Sequence, residues 1–174
     1  MNIYGEKVVL RAIEPADCVL LLEMINDPET EKMLGGSSFP ISAAAQAKWI
    51  ADQIGRSDVL RCIVADRNTP EKGVGTVILS DIDYKNGVAQ VHIKLGLDCR
   101  GKGYGTDALK AVVDYAFRQM RLHCVYAHVL EHNEASQKLF RKCGFQREGR
   151  LQARAYKNGS YMDAISYSIV NDDA

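Results

Sequence analysis

The chain has 174 residues, 22 of them Lys or Arg and 22 Asp or Glu, a length that fits one domain over 1–174 and a balance that gives no net field toward nucleic acid or an anionic membrane. Apolar residues make up 47% and charged residues 25%, which excludes a disordered or fibrous chain. The five cysteines Cys18, Cys62, Cys99, Cys124 and Cys143 include no C-x-x-C pair, which argues against a secreted disulfide framework.

The opening MNIYGEKVVLRAIEP carries charges every few residues and lacks the apolar core of a signal peptide. No uncharged apolar run reaches the roughly 18 residues of a membrane span. A cytoplasmic protein is expected.

In chain order, Val8 to Ile13 reads as a strand, and Pro15 opens a helix carrying Leu21, Leu22 and Ile25, which Asn26-Asp27-Pro28 ends. Ser42 is an N-cap before Trp49, Ile50 and Ile54, and Gly55 closes that helix. Leu60 to Asp66, Gly73 to Ile82 and Val88 to Leu97 read as an antiparallel meander, with Asn86-Gly87 as a two-residue hairpin signal. Over 104–121 the period changes: Leu109, Val112, Val113, Ala116, Phe117 and Met120 form the stripe of an amphipathic helix.

His123 to Leu130 returns to strand, Asn133 caps a short helix that Gly144 stops, and strands at about 145–156 and 160–170 flank a second hairpin signal, Asn158-Gly159. The order is β-α-α-α-β-β-β-α-β-α-β-β. A helix between two strands implies a right-handed crossover and one parallel pair inside a mostly antiparallel twisted sheet, so the fold class is α/β with a mixed sheet.

Chemistry concentrates in Arg100-Gly101-Lys102-Gly103-Tyr104-Gly105-Thr106, between the end of a strand and the start of the long helix. Glycines let backbone N–H groups converge, the helix N-terminus adds partial positive charge, and Arg100 and Lys102 add charge-assisted hydrogen bonds, which suits a pyrophosphate. A P-loop needs G-x-x-x-x-G-K-[ST], and the dinucleotide fingerprint needs a glycine where Thr106 stands, so neither fits.

R-G-K-G-Y-G resembles the [RQ]-x-x-G-x-[GA] signature of the GNAT N-acetyltransferases. The upstream VAQVHIKLGLD and the later NEASQKLFRKCGF follow in that family's order, while Leu10-Arg11 and YKNGSYMDAISYSI resemble its RimJ/RimL branch and the spermidine acetyltransferases. The resemblance implies acetyl-CoA as donor, no metal, pyrophosphate on the glycine loop, the pantetheine arm between two splayed parallel strands, and Asn133 and Ser136 beside the cofactor. A backbone N–H near Ile93 to Leu95 would then face the reacting oxygen.

An amine of pKa near 10 is neutral in only about one molecule in a thousand at pH 7, so a base or water relay is required. Relatives often carry glutamate at the position of Gln90 and tyrosine at that of Phe140; this chain has neither. His92, on the same strand face as Gln90, is the candidate base, with an ordered water as alternative, and Ser136, Tyr104, Tyr156 and Tyr161 are candidate proton donors. Cys124 and His128 stand about 13 Å apart along a strand, too far for one ion.

Glu14, Asp17, Glu23, Asp27, Glu29 and Glu31 fall in a segment without Lys or Arg, which suits a cationic acceptor or a solvated surface. Lys138, Arg141, Lys142, Arg147, Arg150, Arg154 and Lys157 make the later region basic, which suits cofactor phosphates or an acidic acceptor. Polyamine, amino sugar and protein N-terminus all stay open as acceptors. The expected partners are acetyl-CoA and an amine, without nucleic acid or membrane, and a homodimer stays open. The competing class is a noncatalytic acyl-CoA-binding module.

Overall fold

In the computed structural model, which describes residues 1–34 and 39–172, alternating apolar residues build one eight-stranded sheet. Its strands are β1 (Ile3–Tyr4), β2 (Val8–Arg11), β3 (Leu60–Asp66), β4 (Thr69–Asp83), β5 (Val88–Leu95), β6 (Cys124–Leu130), β7 (Gln146–Lys157) and β8 (Ser160–Val170), in the spatial order β1-β2-β3-β4-β5-β6-β8-β7. All neighbours are antiparallel except β5 and β6. The helices are α1 (Cys18–Asn26), α2 (Pro28–Met33), α3 (Ala43–Ala51), α4 (Tyr104–Arg118) and α5 (Glu134–Lys142). None is long and apolar enough to cross a membrane.

The two faces of the sheet bury different partners because side chains alternate along each strand. Val8, Leu10, Cys62, Val64, Val77, Leu79, Ala89, Val91 and Val125 pack with Leu109, Val112 and Ala116 of α4 and with Phe140 of α5. Val9, Ile63 and Ala65 face the other way, onto Leu21 of α1 and Ile50 of α3. Arg11 fixes that second layer: its guanidinium donates to both oxygens of the buried Asp17 at 2.7 and 2.8 Å, and Asp17 also accepts from the Glu14 amide.

The structure corrects several boundaries. The first strand stops at Arg11, two residues before Ile13, and a 3₁₀ turn, Pro15–Asp17, precedes α1. The fourth strand begins at Thr69, ahead of Gly73, because the ladder with β3 runs on to Asp66↔Thr69. Asn86-Gly87 is half of a four-residue loop: Asp83 pairs with Val88, and the Asp83 carboxylate accepts the Lys85 and Asn86 amides at 3.0 Å. The fifth strand ends at Leu95, before a 3₁₀ turn at Leu97–Cys99.

The long helix ends at Arg118 because Arg121 takes a φ of 57° and the Leu122 amide closes onto the Ala116 carbonyl at 3.0 Å. Such a left-handed stop usually announces itself by a glycine, which is missing here. Asn158 and Gly159, with φ of 50° and 83°, do form the two-residue turn between Lys157 and Ser160.

Candidate active site

The two parallel strands pair only over Val88↔Cys124, Ala89↔Val125 and Gln90↔Tyr126. Beyond that point β5 stays with β4 as far as Gly75↔Leu95, and β6 stays with β8 as far as Leu130↔Ala164. Residues 91–95 and 127–130 therefore lose a neighbour on one side and present two facing strand edges, whose backbone groups require other partners. A cleft of about 1100 Å³ opens there, reaching from Trp49, Arg61 and His92 on the α1/α3 face to Asn133, Ser136 and Phe140 on the α5 side.

Gln90, His92 and Lys94 share the α1/α3 face, since their neighbours Ala89 and Val91 point into the α4 core. The Nε2 of His92 lies 2.9 Å from Ser80 Oγ, and that hydroxyl donates to Asp81 Oδ2 at 3.1 Å. Ser80 has a single proton, so the His92 Nε2–H donates to Ser80 and leaves Nδ1 as the basic lone pair. The cleft walls desolvate His92 and hold its pKa below the ordinary imidazole value, outweighing the opposing pull of Asp81; His128 and Arg61 add to the lowering. The shift favours the neutral imidazole, the form able to accept a proton.

Ser136 sits in the first turn of α5 with its amide bonded to Asn133 Oδ1 at 3.1 Å, and its hydroxyl has no partner among the described residues. The Asn133 Nδ2 donates to the Met33 carbonyl at 3.1 Å, so this one side chain caps α5 and ties it to the end of α2. Phe140 is buried against Phe145 and Tyr167. Tyr156 and Tyr161 pair edge-to-face at the exposed tip of the last hairpin, beside its turn, and do not line the cleft.

The glycine loop lies apart from the cleft. Gly101 and Gly103 have φ of 75° and 87°, and Gly103 is the N-cap of α4 without any side-chain cap, which leaves the leading N–H groups of the helix open. Gly105 does different work: a Cβ there would sit 3.3 Å from Leu95 and 3.5 Å from Leu139, so it allows α4 to approach β5 and α5 closely. Tyr104 turns its hydroxyl to Asp66 on β3, and Arg100 donates to Thr30 Oγ1 at 2.9 Å and the Leu95 carbonyl at 3.3 Å. Lys102 is exposed, and Thr106 borders a second groove of about 710 Å³ along α4.

Lys7 lines that groove with Lys110 and Lys142. A Cβ on Gly103 would be 3.2 Å from the Lys7 ammonium. The Asp107 carboxylate holds Lys7 there by accepting the consecutive amides of Glu6, Lys7 and Val8 at 3.0, 2.8 and 2.9 Å.

The family model for the acetyltransferase (GNAT) domain matches residues 7–146. This chain belongs to the GNAT acetyltransferases. The acetyltransferase is 28% identical over 169 residues to the SPbeta prophage-derived N-acetyltransferase YokL of Bacillus subtilis, covering 97% of this chain and 93% of the relative. It is 34% identical over 122 residues to the spermidine N(1)-acetyltransferase of Escherichia coli, covering 70% and 62%. Its fold superposes on the crystal structure of the Vibrio cholerae spermidine N-acetyltransferase in complex with CoA and spermine with a TM-score of 0.86 at 25% identity, over 95% and 96% of the two chains.

The enzyme is accordingly an acetyl-CoA-dependent N-acetyltransferase. Its residues fit that donor chemically: unpaired strand edges suit an amide-bearing arm, and an uncapped helix N-terminus behind two left-handed glycines, with Lys7 beside it, suits a pyrophosphate. Among the described residues no group of three His, Cys, Asp or Glu side chains is arranged for a metal ion.

Residues Leu21, Met24 and Ile25 of the N-terminal segment line the cleft, but none of its six carboxylates does. Asp17 is buried on Arg11, Asp27 caps α2 through the Thr30 amide, Glu29 pairs with Lys32, and Glu31 with the buried Lys157. Sequence reasoning missed Lys94, Arg61, Ser80 and Lys7. Lys94 was within reach of it, two residues after His92 on the same strand face; Arg61 reaches the site only through the register of three strands.

Proposed function

We propose that the enzyme acts in the cytoplasm and transfers acetyl directly from acetyl-CoA to the primary amine of a small molecule or a protein N-terminus, with His92 taking the amine proton. The observation that carries this reading is an imidazole, hydrogen-bonded to Ser80, lining the cleft where two parallel strands part. Acetyl-CoA supplies an acyl group on a thiolate leaving group of pKa about 8.5. The glycine loop, from Arg100 to Thr106, holds its pyrophosphate, and the strand edge around Ile93 and Leu95 holds its arm.

The charge around His92 assists. Arg61 and Lys94 disfavour an ammonium ion beside them, so an amine entering the cleft gives up its proton more readily than in water. The Ser136 hydroxyl, on the α5 side, is the candidate to hydrogen-bond the departing thiolate where Phe140 has no hydroxyl, with a water supplying the proton that the thiolate takes up.

The test is thiol release from acetyl-CoA across an amine panel. His92→Ala should lower kcat by roughly 10²–10⁴ with little change in CoA affinity. A variant with an unchanged kcat–pH profile removes His92 and leaves an ordered water as the base.

A further inference from the structure

We infer that the acceptor amine carries an anionic group, a carboxylate or a phosphate, which seats on Arg61 while the amine lies at His92. This rests on the acetyl-transfer reading above and specifies its second substrate. Among the described residues, no Asp or Glu lines the cleft, whereas Arg61, Lys94 and Arg154 all line it and none of the three forms a salt bridge.

Arg61 is built to be held still. Its guanidinium lies 5.6 Å from the Trp49 ring centroid, and Nη1 donates to Gln53 Oε1 at 2.7 Å. Its Nε–H is buried without an acceptor, and the nearby Asp58 is occupied by Arg56. A half-buried guanidinium with an unspent Nε–H and no ion-pair partner, held between Trp49 and Gln53, is a group whose donors a ligand anion can satisfy. Lys94 is in a similar position: burial pushes its pKa down, and no anion opposes the shift.

The register fixes the spacing. Arg61 pairs with Ile78, and Ile78 pairs with His92, so the three stand in one row across β3, β4 and β5 on the same face. Two strand spacings separate Arg61 from His92, roughly 10 Å between backbones. An acceptor that touches both has its amine and its anion several bonds apart. A polyamine would instead bring a second ammonium against Arg61, where like charges repel.

The experiment compares hexylamine, 1,6-diaminohexane, 6-aminohexanoate and 6-aminohexyl phosphate by thiol release. A binding titration that follows the fluorescence of Trp49, the chain's single tryptophan, is run alongside. The two anionic amines should exceed the diamine in kcat/KM by about 10- to 100-fold, the worth of one charge-assisted hydrogen-bonded pair. Their ratio to each other tells carboxylate from phosphate. Arg61→Gln should bring the anion-to-diamine ratio to about one, Arg61→Lys should restore part of it, and the Trp49 response to 6-aminohexanoate should disappear in the Gln variant only. A diamine preferred by the wild type, or an anion preference that survives Arg61→Gln, overturns the inference while leaving acetyl transfer intact. No thiol release from any amine by protein that still binds CoA overturns the transfer reading and this inference with it.

Discussion

Replacing Asp107 with alanine should loosen the first strand turn and weaken CoA binding together. Its carboxylate accepts the three consecutive amides of Glu6, Lys7 and Val8 at 2.8 to 3.0 Å, and the hydrogen bond to Val8 is partly buried. A hydrogen bond to a charged group is worth about 1.5–3 kcal/mol when shielded, and the solvent-exposed pair contributes less, so the three sum to about 2–4 kcal/mol. The same change frees Lys7 from its place beside Gly103. One ammonium–phosphate contact at an exposed site is worth about 0.5–1.5 kcal/mol, or roughly 2- to 12-fold in Kd. Urea denaturation measures the first quantity, and calorimetric titration with CoA at two salt concentrations measures the second. Asp107→Asn, which keeps one acceptor oxygen, should fall between wild type and alanine in both. A stable alanine variant with unchanged stability and unchanged CoA affinity would show that the turn is held by other contacts and that Lys7 does not meet the donor.

Gly103→Ala places a Cβ at a φ of +87° and 3.2 Å from Lys7; it should raise the CoA Kd by tenfold or more with an unchanged circular dichroism spectrum, and an unaltered Kd would reject the loop as the pyrophosphate site. Gly105 is the poorer probe, since its substitution meets Leu95 and Leu139 and tests packing instead. The Asp81 carboxylate raises the His92 pKa against desolvation, so Asp81→Asn should move the acid limb of the kcat/KM profile to lower pH, because the imidazole then loses its proton earlier; a shift to higher pH would contradict the assignment. Enzyme incubated with acetyl-CoA alone should carry no acetyl-cysteine by mass spectrometry, given that burial pushes the Cys62 thiol up to about 11 and raises Cys124 and Cys143 above the ordinary thiol value. A kinetically competent acetyl-cysteine would replace direct transfer.

Local signals in the sequence were enough for the glycine loop, the amphipathic stripe of α4, the Asn158-Gly159 turn and the Asn133 cap. Each depends on residues within one or two turns of one another, so propensity and period carry them. The family signature in residues 100–105 belongs to the same class, and so does the absence of the usual acid and base at Gln90 and Phe140. The charge of the cleft was not legible. Six carboxylates near the N-terminus read as either a cationic-acceptor surface or a solvated face, and the fold commits four of them to partners, Asp17 to Arg11, Asp27 to the α2 cap, Glu29 to Lys32 and Glu31 to Lys157. The cleft takes Arg61 and Lys94 instead, from strands whose alignment is a matter of register. A side chain's partner 126 residues away, as with Glu31 and Lys157, leaves no trace in local pattern. Sequence therefore determined the glycine loop, where contiguous residues make the feature, and tertiary structure decided the charge of the cleft, where strand pairing sets which side chains meet.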